Sequence, residues 1–168
     1  MAYIEDIVLE NTRIIHRNFE GRAGQYNRAG DRSFSAVISP ELVEGLREQG
    51  WQIRELPPRE GVEGSESLFY IQTRVNFEGN RPPRICIVTK NGLVDLTPDT
   101  VKTLDSAEIV KVDCTLHPHR WENNGKSGVK AYLRNMFVYI REDVLSEKYD
   151  QMFAPEAQPV EIVEPIDN

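Results

Sequence analysis

The stretch AEIVKVDCTLHPHRWENNGKSGVKAYLRNMFVYIR, Ala107 to Arg141, decides the fold. It opens as a strand-forming segment rich in Val and Ile. It then passes through a polar loop holding Trp121, Asn123, Asn124, Gly125, Lys126 and Gly128, and returns as a second strand. In the returning strand Lys130, Tyr132 and Arg134 alternate with Val129, Ala131 and Leu133. Successive side chains of a strand point to opposite faces, so one face is apolar and the other reads cation, aromatic, cation. A grip on single-stranded nucleic acid requires that pairing of rings for the bases with cations for the phosphates between them. A solvated strand face, with Tyr present for its β-propensity, accounts for the same row more blandly. The loop favours the first reading, because Trp121 lies among polar residues, where it either stacks on bases or fills a gap in the core. Past Arg134 the parity changes, since Met136, Val138 and Ile140 fall in register with Lys130; a β-bulge near Asn135 reconciles the two halves.

Working outward, short strand-like runs recur every 8–15 residues along the chain. The spacing predicts strands at Arg13–His16, Ser33–Ile38, Trp51–Leu56 and Leu68–Phe77, and a hairpin joining Ile85–Thr89 to Leu93–Leu96 around Asn91-Gly92. Phe69, Ile71, Thr73, Val75 and Phe77 share one face of their run. A helix is expected from Ser39-Pro40, with Ser as N-cap and Pro at the first helical position, to Gly50. Its face is Leu42, Val43 and Leu46, and Gly45 weakens it by about 1 kcal/mol relative to Ala. Thr97-Pro98 starts a brief helix ending near Leu104, and Asp143 to Met152 reads as a last helical turn or two. Arg59 to Ser67 is an exposed loop. Many short strands with few helical residues indicate an antiparallel β-barrel or sandwich.

The net charge of −7 argues against a polyanion ligand until it is located. Glu142 to Asn168 holds eight acidic residues against Lys148 alone, so this segment carries all of the −7 and residues 1–141 are neutral overall. A neutral body can present a basic groove, because local potential rather than the total steers a polyanion. The end of the chain, APEAQPVEIVEPIDN from Ala154, has three prolines and no aromatic residue and reads as a disordered acidic tail. The division expected is a binding domain over 1–152 and a tail over 153–168. No apolar run is long enough to cross a membrane as a helix, and the first residues do not read as a secretory signal. Cys86 and Cys114, in separate apolar runs, read as buried reduced thiols of a cytoplasmic protein.

The candidate contacts to nucleic acid are Trp121, Lys126, Lys130, Tyr132 and Arg134, joined by Tyr26, Arg28 and Arg32 from the Arg/Gly-rich link Arg17–Arg32. Phe19 and Phe34 in and beside that link are better placed in the core. Arg74, Arg81, Arg84 and Lys90 extend the track but are singly indistinguishable from surface charges. Cys114, His117 and His119 are too few and too poorly spaced for zinc, so no metal or other cofactor is expected, and the two histidines close a strand facing the ligand. Asn123 to Ser127 lacks the upstream glycine of a phosphate loop. Neither a nucleophile arrangement nor an acidic metal cluster stands out, which argues against an enzyme.

These residues resemble the phage-encoded single-stranded DNA-binding proteins with an OB-type barrel. The resemblance rests on Asn18-Phe19 with Gly21, Tyr26-Asn27, Gly30 to Ser35 (GDRSFS) and above all WENNGKSGVKAYLRNMFVYI from Trp121 to Ile140, within residues 7–152. It implies an OB-like barrel, sequence-tolerant binding of single-stranded DNA, no catalysis, and work in phage replication, recombination or repair in the host cytoplasm. More distantly, it implies recruitment of phage or host replication proteins by the acidic tail through Glu156, Glu161, Glu164 and Asp167, and it leaves a homodimer open. The tail departs from the pattern of an aromatic last residue, ending Ile166-Asp167-Asn168. The rival reading is a non-catalytic phage structural or adaptor barrel that binds only protein.

Overall fold

The computed structural model describes residues 4–141. The expected helix at 143–152 and the acidic tail lie outside these residues. The strands are β1 (Ile7–Thr12), β2 (Ile14–Asn18), β3 (Arg32–Ile38), β4 (Arg54–Leu56), β5 (Leu68–Val75), β6 (Arg84–Thr89), β7 (Gly92–Leu96), β8 (Ile109–Asn123) and β9 (Lys126–Ile140). Helix α1 spans Pro40–Glu48, and a 3₁₀ turn spans Val101–Asp105. All strands belong to one nine-stranded sheet whose main path runs β1-β8-β9-β5-β3-β2. The two ends of that path, β1 and β2, are consecutive stretches of backbone separated only by Arg13. The Val37 N–H donates to the Arg13 carbonyl at 3.0 Å, and the Thr12 hydroxyl donates to the Val37 carbonyl at 2.7 Å. The sheet is thereby curled round on itself in the OB-like manner.

Pairing is antiparallel except where β9 meets β5 and β6 and at one isolated bridge from Trp51 to Val129. β9 runs parallel to β5 through Thr73↔Ala131 and Arg74↔Tyr132. It also runs parallel to β6 from Arg84↔Asn135 to Val88↔Tyr139. The mainly β, OB-like expectation holds, and the sheet is mixed. Parallel pairing follows from the long connection between β5 and β9, which is not visible in the composition of either strand. The bulge expected near Asn135 is present: Thr115 opposes Asn135 and Leu116 opposes Leu133, leaving Arg134 as the extra residue. It sits where β9 changes neighbour from β5 to β6.

The apolar face of each strand meets inside. Val129, Ala131 and Leu133 before the bulge are buried, as are Met136, Val138 and Ile140 after it. Phe19 and Phe34 are fully buried and stacked, ring centroids 5.3 Å apart, so both belong to the core as expected. Of the expected helix face only Val43 is buried and Leu46 is partly so, while Leu42 is exposed. Cys86 and Cys114 are free and buried. Burial pushes both thiols up to about 12, helped at Cys86 by donation to Asp95 Oδ1 at 3.0 Å.

The segment from Trp121 to Gly128 is not the open loop its polar composition suggests. Both strands run on, pairing Trp121↔Gly128, Glu122↔Ser127 and Asn123↔Lys126, and only Asn124 and Gly125 turn the chain. Their φ values of 55° and 79° are the left-handed pair that a two-residue hairpin turn demands. Asn-Gly supplies them readily.

Candidate nucleic-acid interface

The outward face of the sheet gathers the sequence candidates into rows that cross the strands. Register places His117 of β8 opposite Tyr132 of β9, Tyr132 opposite Arg74 of β5, and Arg74 opposite Ser33 of β3. Two and four residues further along β8, His119 opposes Lys130 and Trp121 opposes Gly128. His119 meets the Tyr132 ring edge-on, centroids 5.5 Å apart. Two cavities adjoin along the row. One, of about 380 Å³, runs from Tyr26 and Arg28 to Arg74; the next, of about 430 Å³, joins Arg32 and Arg74 to Phe77 and Tyr132. A third opening, beside Lys130, is also lined by Arg74, which makes Arg74 the hub of the face.

A loop stands at one side of the face and the β8–β9 hairpin at the other, which is where OB barrels carry their ligand-binding loops. The loop between β2 and β3 is tied down by its own polar groups. Asn18 Oδ1 accepts from the Gly21 and Arg22 N–H groups at 3.1 and 2.9 Å. Asn27 Nδ2 donates to the Arg22 and Asp31 carbonyls at 2.7 and 3.0 Å. At its base, Asp105 accepts from the Phe19 and Glu20 N–H groups at 2.7 and 3.0 Å. Tyr26 projects from this braced loop with 91% of its surface exposed. With the loop backbone already fixed, stacking a base costs only the ring's own rotamer freedom.

On the hairpin, Trp121 is half-buried, and its ring lies over Gly128. A Cβ at Gly128 would stand 2.9 Å from Trp121 Nε1 and 3.0 Å from Cζ2. Glycine is therefore what lets the indole lie flat on the hairpin, two residues from Lys130. Trp121 is held half-buried on the hairpin and is not among the buried core residues.

The cations differ in what they already hold. Lys126, Lys130 and Arg74 make no ion pair among the described residues. Arg28 pairs with Asp31 at 3.3 Å on an exposed loop, a contact worth little in water. Arg32 donates from Nη1 to the Phe19 carbonyl at 2.7 Å and lies over the Phe77 ring at 5.3 Å, so it forms part of the groove wall. Arg134 Nε stands 2.8 Å from Asp6 Oδ2. Arg84, on β6, is ion-paired with Asp95 at 3.0 Å. Arg81 lines a cavity with His117, His119 and Tyr132. Among the described residues no three His, Cys, Asp or Glu side chains form a metal cluster. The four tail carboxylates singled out in the sequence lie outside these residues.

Arg74 carries more of the site than its sequence neighbourhood suggests. The signal was available: with Ile71, Thr73 and Val75 facing the core, alternation sends Tyr70, Gln72 and Arg74 to the other face. What the sequence hides is that β5 lies beside β9.

A curled OB-like sheet with a cation and aromatic row between two ring-bearing projections defines a single-stranded nucleic-acid-binding module. The chain belongs to the phage ssDNA-binding domain family, whose model matches residues 1–168. Among solved structures it is similar to the single-stranded DNA-binding protein from bacteriophage Enc34 in complex with ssDNA, at TM-score 0.53 and 12% identity over 82% of this chain and 88% of that one. Another structure of the Enc34 protein matches at TM-score 0.52 and 11% identity over 82% of each chain. At such identities the likeness is one of fold. No curated protein matches the sequence. The family resemblance drawn from the Trp121–Ile140 stretch is borne out.

Proposed function

We propose that this protein binds single-stranded DNA without regard to sequence, laying the strand along the row His117–Tyr132–Arg74–Ser33 between the Tyr26 loop and the Trp121 hairpin. The observation that carries this reading is the register Tyr132↔Arg74, which puts a ring and an unpaired cation side by side at the junction of the cavities. Tyr132, Trp121 and Tyr26 stack bases, each worth about 1–3 kcal/mol. Lys126, Lys130, Arg28 and Arg74 meet phosphates, with Arg32 and Arg134 at the groove's margins. The role is protection of single strands in phage replication, recombination or repair in the bacterial cytoplasm, by binding alone and without catalysis.

The acidic segment is the second functional part. Residues 142–168 carry −7, and we assign to Glu156, Glu161, Glu164 and Asp167 competition for the groove and recruitment of replication proteins. Deleting residues 154–168 should tighten DNA binding at low salt and leave it little changed at high salt, where charge is screened. Equal affinity in both salts would refute the competition.

The test of the binding reading is anisotropy of a labelled oligothymidylate titrated with protein at two salt concentrations, with unlabelled duplex as competitor. Tight, salt-sensitive binding that duplex does not displace is expected. Failure to bind at micromolar protein in low salt, with the tail removed as well, would refute it and return the protein-only adaptor reading.

A further inference from the structure

At the β8 end of the row, a carboxylate sits where the groove should meet DNA. Asp6, the residue before β1, places Oδ2 2.8 Å from Arg134 Nε and Oδ1 2.8 Å from His117 Nδ1. Arg134 Nη2 in turn lies 2.7 Å from His117 Nδ1. His117 also lines the cavity that holds His119, Tyr132 and Arg81, so the cluster opens into the groove. We infer that Arg134 and His117 form a phosphodiester site, and that the Asp6 carboxylate occupies it in the free protein until a DNA phosphate replaces it.

Four observations support the exchange. The two carboxylate oxygens span an arginine nitrogen and an imidazole nitrogen, as two non-bridging phosphate oxygens would. The Arg134 Nε–H has no aligned hydrogen-bond acceptor, so its contact with Asp6 is an ion pair only. Asp6 and Arg134 side chains are 30% and 33% exposed, so water still reaches the pair and screens it. A polyanion that releases condensed counterions on binding overcomes that. Finally, departure of Asp6 requires rotation of one side chain and not loss of β1: Ile4 on one side and Ile7 on the other are buried anchors. His117 Nδ1 serves either neighbour, donating to Asp6 or accepting from Arg134, so the ring need not turn when the carboxylate leaves.

The inference rests on the proposed groove and is tested apart from it. Asp6→Asn should bind an oligothymidylate about two- to fivefold tighter at low salt, the equivalent of one exposed ion pair. Its plot of log affinity against log salt should keep the wild-type slope, because the same phosphate meets Arg134 in both complexes. Adding Arg134→Gln to Asp6→Asn should cancel the gain and flatten the slope by about 0.7, the share of one phosphate contact on a single strand. Weaker or unchanged binding by Asp6→Asn, or an unchanged slope when Arg134→Gln is added, would overturn the exchange and leave Asp6 as a brace for Arg134. Should that variant unfold, the wild-type Asp6 carboxyl carbon resonance decides: it moves on addition of DNA if the carboxylate is displaced, and no movement refutes the site. Tyr132→Ala reports on the groove itself; if it binds like wild type, the groove assignment fails whatever Asp6 does.

Discussion

Replacing Gly128 by Ala tests whether Trp121 is held on the hairpin for DNA. The added Cβ would lie 2.9 Å from Trp121 Nε1, 3.0 Å from Cζ2 and 3.1 Å from Gln52 Nε2, against an ordinary contact of at least 3.4 Å. The ring must therefore lift by about half an ångström or swing aside, because the backbone of a paired hairpin gives less readily. Overpacking of this kind costs about 1–3 kcal/mol, or a fall in Tm of roughly 3–10 °C for a domain of this size. Moving the ring also spoils a stacking platform worth about 1–3 kcal/mol, which raises Kd by roughly five- to 150-fold. Thermal melts with oligothymidylate anisotropy measure both losses. The decisive comparison is a double-mutant cycle with Trp121→Ala, whose smaller side chain removes the clash. If Gly128→Ala destabilises as much without the indole as with it, the contact is not the cause and the geometry is wrong. If it melts early but binds DNA normally, Trp121 is a structural residue only.

Three further outcomes follow from the same geometry. Arg74→Gln should weaken binding about tenfold, as for one charge-assisted contact, and flatten the salt slope by about 0.7; Arg84→Gln, removed from an ion pair on β6, should leave the slope unchanged, and identical slopes for the two variants would refute the hub role of Arg74. Tyr26→Ala should cost one stacked base while changing stability by less than about 0.5 kcal/mol, since the ring touches almost nothing; a large drop in Tm would show otherwise. Both cysteines should resist a thiol-specific reagent at neutral pH until the protein unfolds. With their folded values pushed up to about 12 from an ordinary 9, the native state keeps two protons that the unfolded chain releases. Stability is thus full below pH 9 and falls between 9 and 12 by about 2.7 kcal/mol per pH unit. The Cys86→Ala/Cys114→Ala variant should lose that steepness, and an unaltered alkaline profile would count against it.

Much of this was legible from alternation alone. The period-two pattern from Val129 to Arg134, the parity change after it, and the burial of Phe34 are local consequences of side-chain direction. The sequence was silent where the answer depends on which distant strands meet. Arg74 could be placed on a face but not beside Tyr132, since the parallel β5–β9 pairing is set by the path of the intervening chain. Trp121 to Gly128 looked like an open loop because Asn, Gly, Lys and Ser are loop residues by composition. Yet Asn124-Gly125 is the same dipeptide that marked the hairpin at Asn91-Gly92, and it turns the chain in two residues. At the earlier hairpin the pairing Thr89↔Gly92 leaves Lys90 and Asn91 as the turn, so the dipeptide announces a hairpin more reliably than its register.

The bulge at Arg134 explains why one strand can serve two neighbours without losing its core face. A regular β9 would carry Met136, Val138 and Ile140 outward with Lys130 and Tyr132, because all share one parity. The extra residue restores them to the interior, where all three are buried. It falls between the last pairing with β5 and the first with β6, Arg74↔Tyr132 and Arg84↔Asn135. A bulge also leaves its extra residue out of the ladder and re-aims the side chain, and that residue is Arg134, turned toward Asp6 and His117. The device that joins the barrel to the β6–β7 hairpin therefore also fixes the margin of the groove. A cation at this point is free of the cross-strand partners that hold Lys130 and Tyr132 in their rows, which leaves a carboxylate or a phosphate to determine where it points.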